Sequence, residues 1–177
     1  MFAITWTGAP REDSHRLTNL MAEITGNKGL FLDLGGTLVR LAHDNELPVD
    51  ARGKILVELL PGVAKKLAPI RDHLLLIVTN QSKIKRGRFT MAAVEAALSE
   101  LDHKLGEILT AWQICPHDDA DKCHCRKPQG GMITELAELY GVDLKTSTMV
   151  GDQEVDERAA RAAGVGKFVY AKDFFGW

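Results

Sequence analysis

The sequence predicts an α/β domain built on a central parallel sheet, and three observations predict it. Short, continuously apolar runs alternate with segments of helical periodicity from Gly29 onward. The runs lack the apolar–polar alternation of a strand with one solvated face, as expected when helices cover a parallel sheet on both sides. The chain has 177 residues, enough for one good core without disulfide staples.

The elements follow in order. Residues 1–28 read as an N-terminal extension with one short helix around His15–Ile24, and residues 29–177 as the domain itself. Gly29–Leu34 (GLFLDL) is an apolar run ending in Gly-Gly, a buried strand. Residues 42–53 are polar and contain Pro48, a loop. Pro61–Arg71 carries Val63, Leu67 and Ile70 at helical spacing, with Pro61 suited to a helix start. His73–Val78 is the second strand. Thr90 can N-cap a helix running to about Leu105, with Ala93, Val94, Leu98 and Leu101 on one face. Leu109–Ile114 is the third strand and 115–130 a loop. Met132–Tyr140 is a helix stopped by Gly141. Thr148–Val150, Glu154–Ala163 and Lys167–Tyr170 complete the pattern as strand, helix and strand, with Gly164 ending the helix.

Composition excludes several classes. Lys+Arg 22 against Asp+Glu 24 leaves a net charge of −2, so charge alone would not bind this chain to nucleic acid. Apolar stretches such as Leu74–Val78 fall far short of the ~20 residues of a membrane helix. The start lacks a basic segment followed by a long apolar one, so no signal peptide is expected. The three cysteines, an odd number within eleven residues, point to metal rather than disulfide and to a cytoplasmic protein.

In a sheet of this kind ligands bind outside the carboxyl ends of the strands. Asp33-Leu34-Gly35-Gly36 follows the first strand, Thr79-Asn80 ends the second, Arg126-Lys127 comes after the third, and Gly151-Asp152 ends the fourth, with Asp156 four residues on. Converging in one crevice, these groups suit phosphoryl transfer. The Asp33 carboxylate can attack phosphorus. Asp152 can join it in holding Mg²⁺, which takes oxygen ligands. A lysine and a hydroxyl–amide pair can neutralise the phosphoryl oxygens. Glycines after Asp33 let backbone N–H groups approach an anion. Each group alone has an ordinary reading as a turn former, a cap or a solvated charge; their order and shared location carry the inference.

With these residues in view, the chain resembles the haloacid dehalogenase (HAD) superfamily phosphatases. FLDLGGTLV, IVTNQS, CRKP and VGDQEVD resemble that family's four motifs in order, over roughly Gly29 to Phe174. PGV at 61–63 and CPH…CHCRKP at 115–128 resemble its capless branch, which holds histidinol-phosphate phosphatase and D-glycero-D-manno-heptose 1,7-bisphosphate phosphatase. The resemblance implies a three-layered domain without a large cap. It implies Asp33 as nucleophile and Mg²⁺ ligand, the Gly35 carbonyl and Asp152 as further Mg²⁺ ligands, and Thr79 and Asn80 on the phosphoryl group. Lys127 would stabilise the pentavalent state, Arg126 would reach substrate, Gly36 would lend its backbone to the anion, and Asp156 would orient Lys127 or its loop.

One departure matters most. The family's first motif carries two aspartates, the second acting as general acid, and here that position is Gly35. General acid–base catalysis is worth ~10²–10⁴-fold, so the departure leaves three readings: a weak or inactive relative that binds phosphorylated ligands, an enzyme acting on a good leaving group such as an anomeric or acyl phosphate, or one in which another group or a bound water supplies the proton. Leu34 and Lys83 stand where the branch usually has Arg and Gly.

Cys115-Pro116-His117, five residues, then Cys123-His124-Cys125 supply three thiolates and an imidazole, a Zn²⁺ set. Four protein ligands leave no open position, so such a zinc is structural and pins the loop that carries Arg126 and Lys127. His124 competes with His117 for the fourth place, and the resemblance favours His117. Lys83, Lys85, Arg86 and Arg88 form either a solvated edge or a cationic rim for an anionic substrate. The expected function is Mg²⁺-dependent hydrolysis of a small phosphorylated metabolite. The alternatives are an impaired relative that binds a phosphorylated ligand or a protein, and a nucleic-acid 3′-phosphatase. The last is disfavoured because no aromatic stacking platform accompanies the charges.

Overall fold

The computed structural model describes residues 27–43 and 45–177. The helix expected around His15–Ile24 lies outside them. Five parallel strands form one sheet in the order β3-β2-β1-β4-β5: β1 (Gly29–Leu32), β2 (Leu74–Asn80), β3 (Ala111–Cys115), β4 (Thr148–Gly151) and β5 (Lys167–Tyr170). The helices are α1 (Val63–Leu67), α2 (Met91–Leu105), α3 (Gly131–Tyr140), α4 (Glu154–Ala163) and α5 (Ala171–Phe175).

The period-2 geometry of the strands splits the core into two layers. Leu30, Leu32, Leu75, Ile77 and Val150 face α1, α2 and the 34–60 segment. Phe31, Leu76, Val78 and Met149 face α3 and α4. Both faces of the three central strands are therefore dry, which is why their sequences read as unbroken apolar runs.

Local chemistry sets the ends. Thr90 caps α2, its hydroxyl accepting the Ala93 N–H at 3.1 Å. Gly141 and Gly164 end α3 and α4 in the left-handed conformation, as expected. The helix expected over Pro61–Arg71 is confined to Val63–Leu67, because Pro69 has no N–H to continue the ladder. β2 runs two residues past its expected end, with Thr79 and Asn80 in register with Ile114 and Cys115 of β3. Among the described residues, no helix is long and apolar enough to cross a membrane.

Candidate active site and metal centre

Strand order places β1 between β2 and β4, so residues leaving their carboxyl ends share one crevice. Asp33 leaves β1 with its N–H donated to the Val150 carbonyl of β4 at 3.0 Å. The chain then doubles back, the Leu34 carbonyl accepting the Leu38 and Val39 N–H groups at 2.9 and 3.0 Å. Gly36 sits in the left-handed region at φ 77°, and a Cβ there would lie 2.4 Å from Asp152 Oδ2. Glycine at 36 is thus what lets Asp152 lie across the loop after Asp33. Thr37, fully buried, donates its hydroxyl to Asp152 Oδ1 at 3.4 Å.

Lys127 is the centre of the cluster. It is 3% exposed. Its Nζ lies 2.5 Å from Asp33 Oδ1, 2.6 Å from Asp156 Oδ1 and 2.9 Å from the Val78 carbonyl. Burial opposes its charge, but Asp33 and Asp156 outweigh burial and hold the ammonium above its ordinary value. Burial pushes the Asp33 carboxyl up to about 7 against the pull of Lys127, with Asp156 and Asp152 adding repulsion. Asp152 is raised for the same first reason, with Asp156 next. Oxygens of Asp33, Asp152 and Asp156 all lie within 4.8 Å of one another. Three acidic groups around a single buried ammonium leave the cluster short of positive charge, and hard oxygen donors of this kind suit Mg²⁺. Asp156 contacts Lys127 as expected. Gly151 makes room for it, since a Cβ there would meet Asp156 Cβ at 2.4 Å.

Other expected site residues are engaged differently. Thr79 is buried and its hydroxyl accepts Gln81 Nε2 at 3.0 Å. The Asn80 amide grips the backbone of Lys127: Nδ2 donates to its carbonyl at 2.9 Å, and Oδ1 accepts its N–H at 3.0 Å. Asn80 therefore fixes the lysine's main chain. Arg126 is tied to the metal loop, through Asp119 at 2.6 Å and the His117 carbonyl at 3.1 Å. The basic segment after β2 is ion-paired: Lys83 and Arg88 with Glu46, Lys85 with Asp121, Arg86 with Asp118. Thr37, Gln81 and Asp119 were not singled out in the sequence for these contacts. A hydroxyl closing the Gly-Gly-Thr turn was the available signal for Thr37; the other two have none.

The thiols gather as predicted. Cys115 ends β3, its carbonyl accepting the Gln81 N–H at 2.7 Å. Sulfur–sulfur distances among Cys115, Cys123 and Cys125 are 3.7, 3.4 and 3.3 Å, and His117 Nδ1 lies 3.6 Å from Cys115 and 3.4 Å from Cys125. The edges of a zinc–thiolate tetrahedron with bonds of ~2.3 Å are about 3.7 Å, so the four residues fit that ion. The separations are far beyond a disulfide bond, and all three cysteines are free. The hydrogen bond to Cys115, and then burial, push the Cys125 thiol up. His124 is not in the set: its Nε2 pairs with Glu135 at 2.5 Å, and Glu135 also accepts Gln113 Nε2 at 2.7 Å.

Comparison with known proteins agrees with this geometry. The HAD-hydrolase-like family model matches residues 124–175. The chain is 35% identical over 152 residues to D-glycero-β-D-manno-heptose-1,7-bisphosphate 7-phosphatase of Haemophilus ducreyi, covering 79% of this chain and 80% of that protein. It is 33% identical over 155 residues to the Salmonella typhi phosphatase of the same name, covering 81% and 79%. The crystal structure of the D,D-heptose 1,7-bisphosphate phosphatase of B. bronchiseptica, complexed with magnesium and phosphate, superposes with a TM-score of 0.70 at 30% identity, covering 79% of this chain and 78% of that one. The strand-end cluster, the fold and these likenesses agree: the chain belongs to the HAD superfamily of phosphoric monoester hydrolases, beside the heptose bisphosphate phosphatases.

Proposed function

We propose that this protein is a Mg²⁺-dependent phosphatase of small phosphorylated sugars that works through a phosphoryl group carried on Asp33. The observation that carries the reading is the buried Lys127 ammonium held between Asp33 and Asp156, with Asp152 alongside. Asp33, Asp152 and the Gly35 carbonyl would hold Mg²⁺, which when bound neutralises charge on the phosphoryl oxygens. The Asp33 carboxylate forms the bond to phosphorus as the ester oxygen leaves, and water then attacks the same phosphorus and frees Asp33. Lys127 fixes the Asp33 carboxylate and offers positive charge to the equatorial oxygens. Asn80 keeps the lysine in register through its main chain. Thr79, at the end of β2, lines the phosphoryl site with the Gly36 backbone. Arg126 faces the substrate from the edge of the metal loop.

Cys115, His117, Cys123 and Cys125 would hold Zn²⁺ structurally, two residues before Lys127. The names of the matched relatives favour a sugar phosphate over histidinol phosphate, and a metabolite substrate fits a cytoplasmic protein. The ion-paired rim speaks against a nucleic-acid end as substrate. Gly35 supports a second reading, an impaired relative that binds a phosphorylated ligand without turning it over. A phosphate-release assay over sugar phosphates, with and without Mg²⁺, tests the choice. Mg²⁺-dependent turnover is expected; phosphate binding without turnover of any ester would favour the second reading.

A further inference from the structure

Thr79 is 1% exposed. Its hydroxyl has one hydrogen to give and two lone pairs to offer. Among the described residues its one hydrogen-bond partner is Gln81, whose Nε2 donates to Thr79 Oγ1 at 3.0 Å. A hydroxyl cannot aim its hydrogen at a nitrogen whose own hydrogen it is accepting. The Thr79 hydrogen therefore turns away from Gln81, and among those residues it meets no acceptor. Buried donors are rarely left unpaired, because nothing then replaces the water they have lost. The nearest charges are those of the crevice. Val78, one residue earlier, gives its carbonyl to Lys127 Nζ at 2.9 Å, the same ammonium that meets Asp33.

Gln81 is itself buried, and its main chain is held on both sides. Its N–H donates to the Cys115 carbonyl at 2.7 Å, and its carbonyl accepts the Ile84 N–H at 3.0 Å. Thr79 and Gln81 are two apart, the spacing that puts side chains on one side of an extended chain. Asn80 between them turns instead to the Lys127 main chain. With its backbone fixed, the glutamine reaches back to the threonine. An amide offers an oxygen as well as a nitrogen. With the oxygen toward Thr79, the hydroxyl would spend its only hydrogen on Gln81. With the nitrogen toward it, as here, that hydrogen stays available to a ligand.

We propose that Gln81 is a positioning residue: by occupying a lone pair of the Thr79 hydroxyl with an amide N–H, it commits that hydroxyl to donating its hydrogen to a phosphoryl oxygen. The proposal rests on the Asp33 reading given above and supplies the group through which Thr79 is oriented. A phosphoryl dianion offers oxygen acceptors and no hydrogen, so a hydroxyl serves it only as a donor. An unrestrained hydroxyl turns its hydrogen among several directions, and one of them serves the anion. The Gln81 contact removes the direction that would waste it. A donor aimed in advance stabilises developing charge without having to reorient as the charge appears.

The test is a mutant cycle read in kcat/KM for p-nitrophenyl phosphate with Mg²⁺, and in the affinity for inorganic phosphate with Mg²⁺ by calorimetry. Thr79→Val removes the donor and should lower kcat/KM by roughly 10²–10³-fold. Gln81→Met keeps the size of the side chain without its amide and should lower it by roughly 3–10-fold, the net worth of one hydrogen bond. On a Thr79→Ser background, which keeps a hydroxyl, Gln81→Met should cost that factor again. On a Thr79→Val background it should cost nothing further, because its only route to the phosphoryl group is gone. Phosphate affinity should show the same two patterns. A glutamine that merely held the loop after β2 would cost the same factor on both backgrounds, and that result would overturn the proposal. So would a Gln81→Met or a Thr79→Val protein within about twofold of native, a change smaller than one hydrogen bond. Gln81→Asn, a methylene too short to reach Thr79, supplies the same comparison where the Gln81→Met chain does not fold. Absence of Mg²⁺-dependent turnover of every ester by the native protein would instead sink the Asp33 reading, and the phosphate affinities would then decide the role of Gln81 by themselves.

Discussion

The two ligand clusters among the described residues are linked by one loop, Lys127 following Cys125 by two residues, and are built in opposite ways. Cys115, His117, Cys123 and Cys125 come from one stretch of eleven residues, the end of β3 and the loop after it, and gather three thiols and an imidazole at tetrahedral separations. Asp33, Asp152 and Asp156 come from the ends of two strands and the helix after the second, hold hard donors, and enclose a lysine delivered by the other cluster's loop. The first can satisfy an ion by itself and so reads as structural. The second is left with unbalanced negative charge around one ammonium, which suits a site that takes up a cation together with a phosphorylated ligand. Proximity to the strand ends does not decide the role of a cluster; the chemistry of its donors and the charge they leave unanswered do.

Four experiments break or sharpen that contrast, from the largest effect down. Asp33→Asn removes the proposed nucleophile and should lower phosphate release by roughly 10⁴–10⁶-fold, while zinc content by elemental analysis stays near one per chain. Activity within tenfold of native would undo the assignment. Lys127→Met strands two buried carboxylates and should cost about 3–5 kcal/mol in urea unfolding at pH 8. A carboxyl whose folded pKa is raised binds its proton more tightly when folded, so the penalty grows as pH climbs past the ordinary carboxylate value and is complete above the folded one. The deficit at pH 5.5 should therefore be smaller than at pH 8, and an equal deficit at both would show that the lost charge is not the cause.

Cys115→Ser should release zinc and lower the melting temperature by roughly 6–12 °C, the equivalent of ~3 kcal/mol for a chain of this size. Chelation of the native protein should lower it in the same direction, and an unchanged melt in both would remove the structural role. Gly36→Ala is the smallest. It should cost ~1–3 kcal/mol from its left-handed backbone and also weaken Mg²⁺-dependent phosphate binding in calorimetry, because its methyl group meets Asp152. Gly53→Ala, at φ 81° with open space around it, should carry the strain without the binding loss.

Legibility in the sequence followed the same division. The thiol loop could be read directly because its ligands are neighbours in the chain, although the choice between His117 and His124 waited on the Glu135 contact, eleven residues on. The carboxylate cluster was legible as four strand-end motifs, since parallel topology sends such ends to one place. Its internal wiring was not. Asn80 gripping Lys127 and Thr37 reaching Asp152 are made by chain reversals and side-chain packing that no periodicity encodes. Sheet and helix positions were legible from apolar runs, Thr90, Gly141 and Gly164. α5 was not: its AKDFF follows β5 directly, with no cap or glycine to mark its start and no apolar spacing beyond the adjacent Phe174 and Phe175.

The paired rim has a kinetic consequence. Lys83, Lys85, Arg86, Arg88 and Arg126 are answered by Glu46, Asp118, Asp119 and Asp121, five cations against four carboxylates. Opposite charges this close present little field beyond a Debye length, about 8 Å at physiological ionic strength. Such an entrance does not reach into solution to hurry anions inward. A phosphorylated molecule meets the crevice at the ordinary diffusive frequency, and added salt leaves that frequency nearly untouched. Discrimination then falls to how long the molecule stays once the buried charges have engaged it.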